Sequence, residues 1–494
     1  MTCANIYIAS CLPSAGWPAA ISIAPNKTSS TRRNCPVPTI EQVVQRDICV
    51  GCGACQFITR GEIQVRRNTL GYYSADLSHA RPRSLATASR VCPFSNESRN
   101  EDDIAAAVFP AELKNDPRTG KYLSIAAART TDDDYLRGSS SGGLTSWILI
   151  KLLESGHIDG VIHVGQGGDG LFSYRISRSR QELTARRKSI YYSTSFNTAL
   201  QSIHGDGQRY ALVGVPCFIK SARLLCMEDP VLASQLACFI GLVCGHLKSA
   251  AFAELLAWQC GISPDELTAV DFRVKQPGQD AGRYSFGARA GKDISEWTTR
   301  PTSQLLGGNW GHGMFQLNAC NYCDDIFAET ADLVLGDAWL PQYRSDWRGT
   351  NLLLCRNALI QQLIDDGAAT GELFIQSLSV AQAASSQAGN FRHRHEGLAL
   401  RLADDQNAGH WVPNKRVTPD HNVVGNRRRE LIRRRRELSR ASHELFAEAR
   451  EQGSLALFID RITPLVQRYE KYNAASLPRR LLGLAKRRIQ LILS

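Results

Sequence analysis

The chain has 494 residues, which is long enough for two or three domains with a substantial core. Its hydrophobic fraction of 43% and charged fraction of 21% are typical of a globular protein, and they argue against a disordered or fibrous chain. Much of the net charge of +11 lies in the last part of the chain, which indicates a basic tail rather than a binding groove for nucleic acid. No apolar run reaches the roughly 20 residues that a membrane-spanning helix requires.

The most informative segment contains three cysteines, Cys49, Cys52 and Cys55, separated by two-residue gaps with glycines between them. Glycine permits backbone angles that a Cβ would obstruct, so such a loop can turn three thiolates toward one inorganic centre. The spacing matches the start of the bacterial ferredoxin run that holds a 4Fe–4S cluster, and Cys92, which precedes Pro93, is the candidate fourth ligand. The alternatives are a zinc knuckle or three unrelated thiols, although zinc sites favour two separated cysteine pairs.

Four further cysteines indicate a second site. Cys217 and Cys244 each follow a predicted buried strand of parallel type, and ligands gather at the carboxyl ends of such strands. Cys320 and Cys323 form a C-x-x-C pair that would complete a four-ligand site, while the alternative for Cys217 and Cys244 is a structural thiol in the core. The other cysteines are Cys226, Cys238, Cys260 and Cys355, interpreted as core residues, and Cys3, Cys11 and Cys35, which receive no role.

A serine- and glycine-rich loop occupies residues 138–143 and leads directly into an apolar helix predicted over residues 144–153. Unpaired backbone N–H groups and the helix dipole at such an N-terminus suit a phosphate group. The alternative is an ordinary helix start after a glycine turn. The spacing alone does not decide between these interpretations.

Taken in order, these motifs resemble the beta subunit of coenzyme F-420 hydrogenase/dehydrogenase. This is a deazaflavin-linked iron–sulfur flavoprotein family that includes chlorophyll-cycle reductases such as 7-hydroxymethyl chlorophyll a reductase. The resemblance extends from about Cys49 to Trp339 and rests on CVGCGAC with a later CP, SSGG before a helix, RKSIYYS, GVPCFIKSARLL, GLVCGHLKS, DFRVK and CNYCDDIFAETADLVLGDAW. It implies FAD, at least one 4Fe–4S cluster, and two-electron chemistry coupled to one-electron transfer.

The resemblance also implies roles for individual residues. The metal ligands are Cys49, Cys52, Cys55 and Cys92 for the first cluster, and Cys217, Cys244, Cys320 and Cys323 for a second. The flavin-binding residues are Ser140, Ser141, Gly142, Gly143, Lys188 and Ser189. The candidates for a catalytic role are Lys188, Tyr191 and His246, although for His246 and His312 a structural role is the stronger interpretation. Arg273 and Lys275 either stabilise a reduced flavin or lie on an exposed strand edge.

Two positions depart from the family pattern. Residues 56–59 replace the cysteine and proline that usually follow soon after the third cysteine, and Phe218 replaces the usual glutamine after Cys217. The second change alters a residue near the flavin. Gly336 and Asp337 are interpreted as a tight turn beneath the second cluster.

The predicted fold class is α/β with α+β elements. We expect a flexible leader over residues 1–38, a ferredoxin-like 4Fe–4S module over 39–118, a mixed α/β domain for FAD and a cluster over 119–400, and a basic helical extension over 401–494. The last basic amphipathic helix, residues 479–493, would contact an anionic membrane surface, a partner or the body of the protein. Nucleic acid is not expected to bind there, because no aromatic residues are interleaved with the basic run.

The leading functional hypothesis is therefore an iron–sulfur flavoprotein oxidoreductase. It would pass electrons between a ferredoxin-type donor, 4Fe–4S clusters and FAD, and would act on an organic substrate or a deazaflavin coenzyme. Cysteines clustered in short motifs favour a reducing compartment, so a cytoplasmic location is expected, including the inner membrane surface. The alternatives are an electron-relay subunit without catalysis of its own and a zinc-stabilised binding protein.

Overall fold

The structure is a computed structural model that describes residues 39–168, 170–291 and 296–474. The predicted leader (1–38) and the predicted amphipathic helix (479–493) lie outside the described residues. Within the described ranges, no helix combines the length and apolar character needed to cross a membrane.

The N-terminal cysteine module is built from short helices and one hairpin. The sequence predicts a short helix over residues 39–45 and, from the alternation over residues 62–73, a small hairpin, and both elements are present. The elements are α1 (Thr39–Gln45), α2 (Ala54–Ile58), β1 (Gln64–Arg67), β2 (Tyr73–Asp76), α3 (Pro82–Val91) and α4 (Glu101–Val108). The hydrophobic side chains of this module join those of the main domain in one core, so the module packs directly on the large sheet.

The main domain is organised around an eight-stranded mixed sheet with the strand order β15-β5-β14-β13-β9-β8-β6-β7. Its strands are β5 (Ser124–Thr130), β6 (Gly160–Gln166), β7 (Phe172–Ser177), β8 (Tyr210–Gly214), β9 (Leu236–Leu242), β13 (Leu333–Asp337), β14 (Asn351–Cys355) and β15 (Leu373–Ser377), and a small hairpin pairs β3 (Lys114–Asp116) with β4 (Gly120–Tyr122). The four strands β6, β8, β9 and β13 run parallel, and the remaining pairs are antiparallel. The parallel centre agrees with the predicted α/β class.

Helices cover both faces of this sheet. One face carries α6 (Leu144–Glu154) and α13 (Ala358–Ala369), whose apolar residues pack on the alternating side chains of the strands. The other carries α8 (Asn197–Ile203) and α9 (Pro216–Glu228), together with the cysteine module. Further helices of this domain are α5 (Asp133–Gly138), α7 (Arg180–Ala185), α10 (Pro230–Gln235), α11 (Ala250–Gln259), α12 (Pro341–Arg344), α14 (Val380–Ser386) and α15 (Ala388–Phe391).

A second, smaller core lies beside the sheet and includes the C-terminal helices. A three-stranded antiparallel sheet of β10 (Leu267–Val274), β11 (Ser285–Ala290) and β12 (Thr298–Pro301) packs there with α11. The C-terminal part adds a π-helical turn (Arg392–Glu396), α16 (Gly397–Asn407) and the antiparallel pair α17 (Asn426–Glu451) and α18 (Leu455–Asn473). The break between α17 and α18 falls at Gly453, which has φ +61° and interrupts the long helical stretch.

A buried arginine ties the β3–β4 hairpin and the loop before β13 to the sheet. Arg356 follows β14, is 2% exposed, and donates to the carbonyl oxygens of Lys121 (2.6 Å), Thr119 (3.0 Å) and Ala331 (2.9 Å).

Replacing Arg356 with methionine leaves these acceptors without a donor, and we expect the free energy of unfolding to fall by roughly 2 to 4 kcal/mol. Urea denaturation of both proteins measures this difference in the free energy of unfolding. The control is Arg283→Met, whose side chain is 74% exposed and which should leave the denaturation midpoint unchanged.

Candidate functional site

The first cysteine set lies around one small cavity in the N-terminal module. Cys49, Cys52, Cys55 and Cys92 all line this cavity, and apolar side chains from α1 and from the segment after Cys92 line the rest of it. Burial raises the pKa of the Cys52 thiol to about 11, and the pKa of Cys55 is raised by burial and then by the other three cysteines. The donor set is therefore four thiols in an apolar pocket, which fits an iron–sulfur cluster.

Two glycines permit the sharp loop around these thiols. Gly51 has φ +67° and Gly53 has φ +95°, both in the left-handed region. A Cβ at Gly51 would overlap Tyr73, and one at Gly53 would overlap the hydroxyl of Ser195. The predicted reason for the glycines is thus confirmed, because neither position has room for a side chain.

The predicted return of Cys92 to the other three cysteines is also present. The hairpin β1–β2 and helix α3 fill the intervening sequence, and α3 packs against α2. Cys92 is the C-cap of α3, so the end of that helix carries the thiol to the loop. The fourth candidate ligand therefore comes from a folded insertion.

The second cysteine set gathers at the carboxyl end of the parallel strands. Cys217 lies in the first turn of α9, Cys244 follows β9, and Cys320 and Cys323 belong to a 3₁₀ segment (Asn318–Tyr322) and its C-cap. Burial raises the pKa of Cys217, and the thiols of Cys323, Cys244 and Cys320 raise it further, so the four are neighbours. The backbone N–H of Leu247 donates to Sγ of Cys320 at 3.2 Å.

The two cysteine sets are close to each other. Cys52 of the first set also raises the pKa of Cys217, and both cysteines raise the pKa of the fully buried Tyr174, for which burial is the main cause. The rings of Tyr174 and Phe218 stack with centroids 5.8 Å apart in the same region. The fold thus brings a segment near residue 50 beside one near residue 217.

Among the described residues, no group of three or more histidine, cysteine, aspartate or glutamate side chains is arranged to hold a single metal ion. A 4Fe–4S cluster attaches each thiolate to a different iron atom, so its ligands stand farther apart than those of one ion. The two ligand sets remain predictions. The four other described cysteines lie outside both sets: Cys238 and Cys355 are buried in the core as predicted, whereas Cys226 and Cys260 are only half-buried.

A buried arginine faces the second cysteine set. Arg394 is 1% exposed, and its Nε and Nη1 atoms have no hydrogen-bond partner among the described residues. Burial lowers its pKa, but Cys323, Cys244 and Cys320 outweigh this and raise the pKa overall. A buried cation beside several thiols favours their thiolate form, which is the form that binds metal.

A large cavity of about 780 Å³ opens beside the second cysteine set, and Cys244 contributes to its wall. The predicted serine–glycine loop lines it, before the N-terminus of α6. The hydroxyl of Ser140 accepts a hydrogen bond from the backbone N–H of Ser189 at 2.8 Å, and the buried Oγ of Ser141 has no partner among the described residues. An unpartnered hydroxyl at a helix start is what a phosphate-bearing ligand would use.

Glycines shape this loop as well. A Cβ at Gly142 would lie 2.7 Å from Cβ of Arg129, and Gly143 has φ +79°. Lys275 secures the loop from outside by donating to the carbonyl oxygens of Ser141 (2.8 Å) and Arg348 (2.6 Å). Lys275 does not line the cavity, so its place is behind the loop.

The other predicted site residues also lie at the cavity. Lys188, Ser189, Tyr191 and His246 line it, and Lys188 pairs with Asp271 at 3.0 Å. Arg273 lines it too, is 4% exposed, and pairs with Asp337 at 2.7 Å, so the exposed-edge interpretation was wrong for this residue.

The tight turn predicted at Gly336 and Asp337 is absent at these described residues. Both residues end strand β13 and pair with residues of β14.

Sequence reasoning missed a basic contribution from the C-terminal part. Arg428 and Arg435 of α17, together with Arg401 of α16, line the cavity, so part of the charge predicted to form only a tail belongs to a binding site. The available signal was helical spacing, because Arg428, Ile432 and Arg435 recur at intervals of four and three residues and share one face of α17.

The chain is similar to several known proteins. The family model for the N-terminal region of the coenzyme F420 hydrogenase/dehydrogenase beta subunit matches residues 125–201, and the model for its C-terminal region matches residues 207–380. One of the subunits of the F(420)H(2) dehydrogenase of Methanosarcina mazei is 27% identical over 42% of this chain and 56% of its own length. The beta subunit of the coenzyme F420 hydrogenase of Methanosarcina barkeri is 27% identical over 26% of this chain and 46% of its own length.

The chain thus spans about half the length of these two relatives. A solved chain of the F420-reducing hydrogenase complex from Methanosarcina barkeri has a TM-score of 0.45 and 17% identity, covering 59% of this chain and 96% of that one. The two family models together match just over half of the 494 residues. The chain therefore belongs to the family of coenzyme F420 hydrogenase/dehydrogenase beta subunits.

Proposed function

We propose that the chain is an iron–sulfur flavoprotein oxidoreductase that exchanges electrons with a ferredoxin-type protein and acts on a small organic substrate or a deazaflavin coenzyme. The observation that carries this proposal is the common wall of the large cavity. Cys244 of the second cysteine set and the serine–glycine loop line the same 780 Å³ space. A cavity of this size suits a flavin together with part of a substrate.

The residues present fit FAD. Its diphosphate would be held by Ser140, Ser141, Gly142 and Gly143, while Lys188 and Ser189 lie beside that loop. When bound, FAD supplies two-electron hydride chemistry and one-electron exchange with a cluster in the same molecule. The buried Oγ of Ser141, which has no partner among the described residues, supports this placement.

Several residues would prepare the cavity for such chemistry. The Arg273–Asp337 ion pair fixes a guanidinium at the wall, where it can stabilise negative charge. Tyr191 packs against Trp310 with ring centroids 4.8 Å apart, and both rings exclude water from that side. Lys188, Tyr191 and His246 remain the candidates for proton transfer because each lines the cavity.

The proposal is tested by reduction and turnover of the purified chain under anaerobic conditions. Reduced ferredoxin is added, and the flavin and cluster absorption bands are followed before and after addition of coenzyme F420. Bleaching of both bands, followed by reoxidation when F420 is added, is the expected result. No flavin band, or a flavin that neither reductant nor coenzyme affects, would contradict it.

A relay subunit is the second candidate, and the names of the relatives favour it because both are described as subunits of larger enzymes. Such a protein would accept electrons from the reduced donor and yet turn over no organic substrate when purified alone. Adding the partner enzyme would then restore reoxidation.

A further inference from the structure

Four basic side chains form a contact network at the cavity wall made by the C-terminal part. The guanidinium of Arg435 donates to Nδ1 of His393 through Nη1, and to Nδ1 of His246 through Nη2 at 3.4 Å. Arg401 also donates to Nδ1 of His393, at 3.4 Å. All four residues line the cavity.

These contacts determine which ring nitrogen of each histidine carries the proton. A guanidinium can only donate, so Nδ1 of His246 and Nδ1 of His393 must accept. Each neutral ring then carries its proton on Nε2. Burial, reinforced by neighbouring cations, lowers the pKa of His393 well below its usual range, which agrees with a neutral ring.

The network therefore presents donors without acceptors. The buried Nε2 atoms of His246 and His393 and the buried Nε of Arg435 have no hydrogen-bond partner among the described residues. His246 is 6% exposed and contacts the ring of Trp310 at a centroid distance of 4.5 Å. Buried donors in proteins are almost always paired, so three in one network indicate an acceptor other than the described residues.

The charge balance around the cavity points to an anion. Nine of its lining residues are lysine or arginine, whereas Asp337 is the single carboxylate among the lining residues that the structure describes, and it is paired with Arg273. Lys188 and Arg187 pair with Asp271 and Asp134 outside the lining, which leaves a smaller excess of positive charge at the cavity. Arg428 reaches Glu396 only at 3.9 Å. Lys248 lies beside the network, donates to the carbonyl of Met314 and faces the ring of Trp310.

We propose that His246, His393 and Arg435 bind a carboxylate or phosphate group of the organic substrate. This inference rests on the proposed function, because it assigns the charged part of the substrate to the C-terminal part of the chain, whereas the flavin is assigned to the serine–glycine loop. His393 and Arg435 lie beyond the 125–201 and 207–380 segments that match the family models. The site would therefore select among substrates for this particular chain.

The test measures anion binding directly in the purified holoprotein. Thermal unfolding is recorded with inorganic phosphate, with succinate, and with sodium chloride at the same ionic strength. We expect phosphate or succinate to raise the midpoint of the unchanged protein by several degrees relative to chloride, and to leave the midpoint of Arg435→Gln unchanged. Flavin, iron and sulfide contents are measured on both proteins and should be equal.

Two variants control for charge and folding. Arg440→Gln removes a positive charge from the same helix at a side chain that is 82% exposed, and it should keep the anion effect. Arg435→Lys keeps the charge without the forked donor, and it should recover part of the effect. In chloride alone Arg435→Gln should unfold at the same or a higher temperature, because it removes a half-buried cation that has no carboxylate partner among the described residues, whereas a purely structural arginine would lower that temperature.

Several outcomes would overturn the inference. Loss of flavin in Arg435→Gln would assign the donors to the FAD diphosphate, and loss of iron would assign them to the second cluster. An equal anion effect in both proteins, or none in the unchanged protein, would also refute it. A protein without flavin or iron whose anion effect still depends on Arg435 would refute the proposed function while supporting the anion site.

Discussion

Replacing Cys92 with serine is expected to remove one 4Fe–4S cluster while flavin remains bound. Cys92 lines the first small cavity with Cys49, Cys52 and Cys55, and it does not line the large cavity. A serine hydroxyl is a poor ligand for a cluster, so the iron content should fall by about half, or about four atoms per chain. Iron and sulfide analysis with flavin fluorescence measures this change.

The matched control is Cys260→Ser. Cys260 is half-buried in the smaller core and belongs to neither cysteine set, so its replacement should leave iron, sulfide and flavin unchanged. If Cys92→Ser retains the full iron content, the first ligand set is wrong. If it loses flavin as well, the two sites are not independent.

Replacing Arg394 with methionine is expected to lower the reduction potential of the second cluster by roughly 50 to 100 mV, or about 1 to 2 kcal/mol. The guanidinium is buried beside Cys244, Cys320 and Cys323, and two of its nitrogens have no hydrogen-bond partner in the part of the chain that the structure describes. A cation stabilises the more negative, reduced form of a cluster, so its removal disfavours reduction. Redox titration followed by electron paramagnetic resonance measures the shift.

Arg394→Lys is the control for this prediction, since it keeps a positive charge at the same position. Arg394→Lys should have a reduction potential close to that of the unchanged protein. Thermal unfolding of both variants shows separately whether either substitution disturbs the packing. A potential that stays unchanged in Arg394→Met would show that the guanidinium does not face a charged cluster.

Much of the fold could be predicted because local signals were strong. Alternation after the three cysteines predicted the hairpin β1–β2. The apolar runs predicted β8 and β9, which end at Gly214 and Leu242, shortly before Cys217 and Cys244. Tight loops could be predicted at Gly51, Gly53 and Gly143, because glycine adopts backbone angles that other residues reach only with strain.

The rest depended on contacts between distant parts of the chain. The prediction treated the arginines of α17 as a tail because a run of like charges usually indicates a solvated surface. In the structure Arg435 meets His246, which lies 189 residues earlier, and this contact places the basic face at the cavity. Likewise, the ion pair with Asp337 explains how Arg273 is buried, and no local pattern reveals that pairing.

The most direct measurement is the content of iron, acid-labile sulfide, zinc and flavin in anaerobically purified protein. The two proposed four-cysteine ligand sets and the cavity proposed to hold a flavin predict about eight iron and eight sulfide atoms and about one FAD per chain. A colourless protein that carries zinc and no flavin would contradict both the ligand sets and the proposed oxidoreductase function.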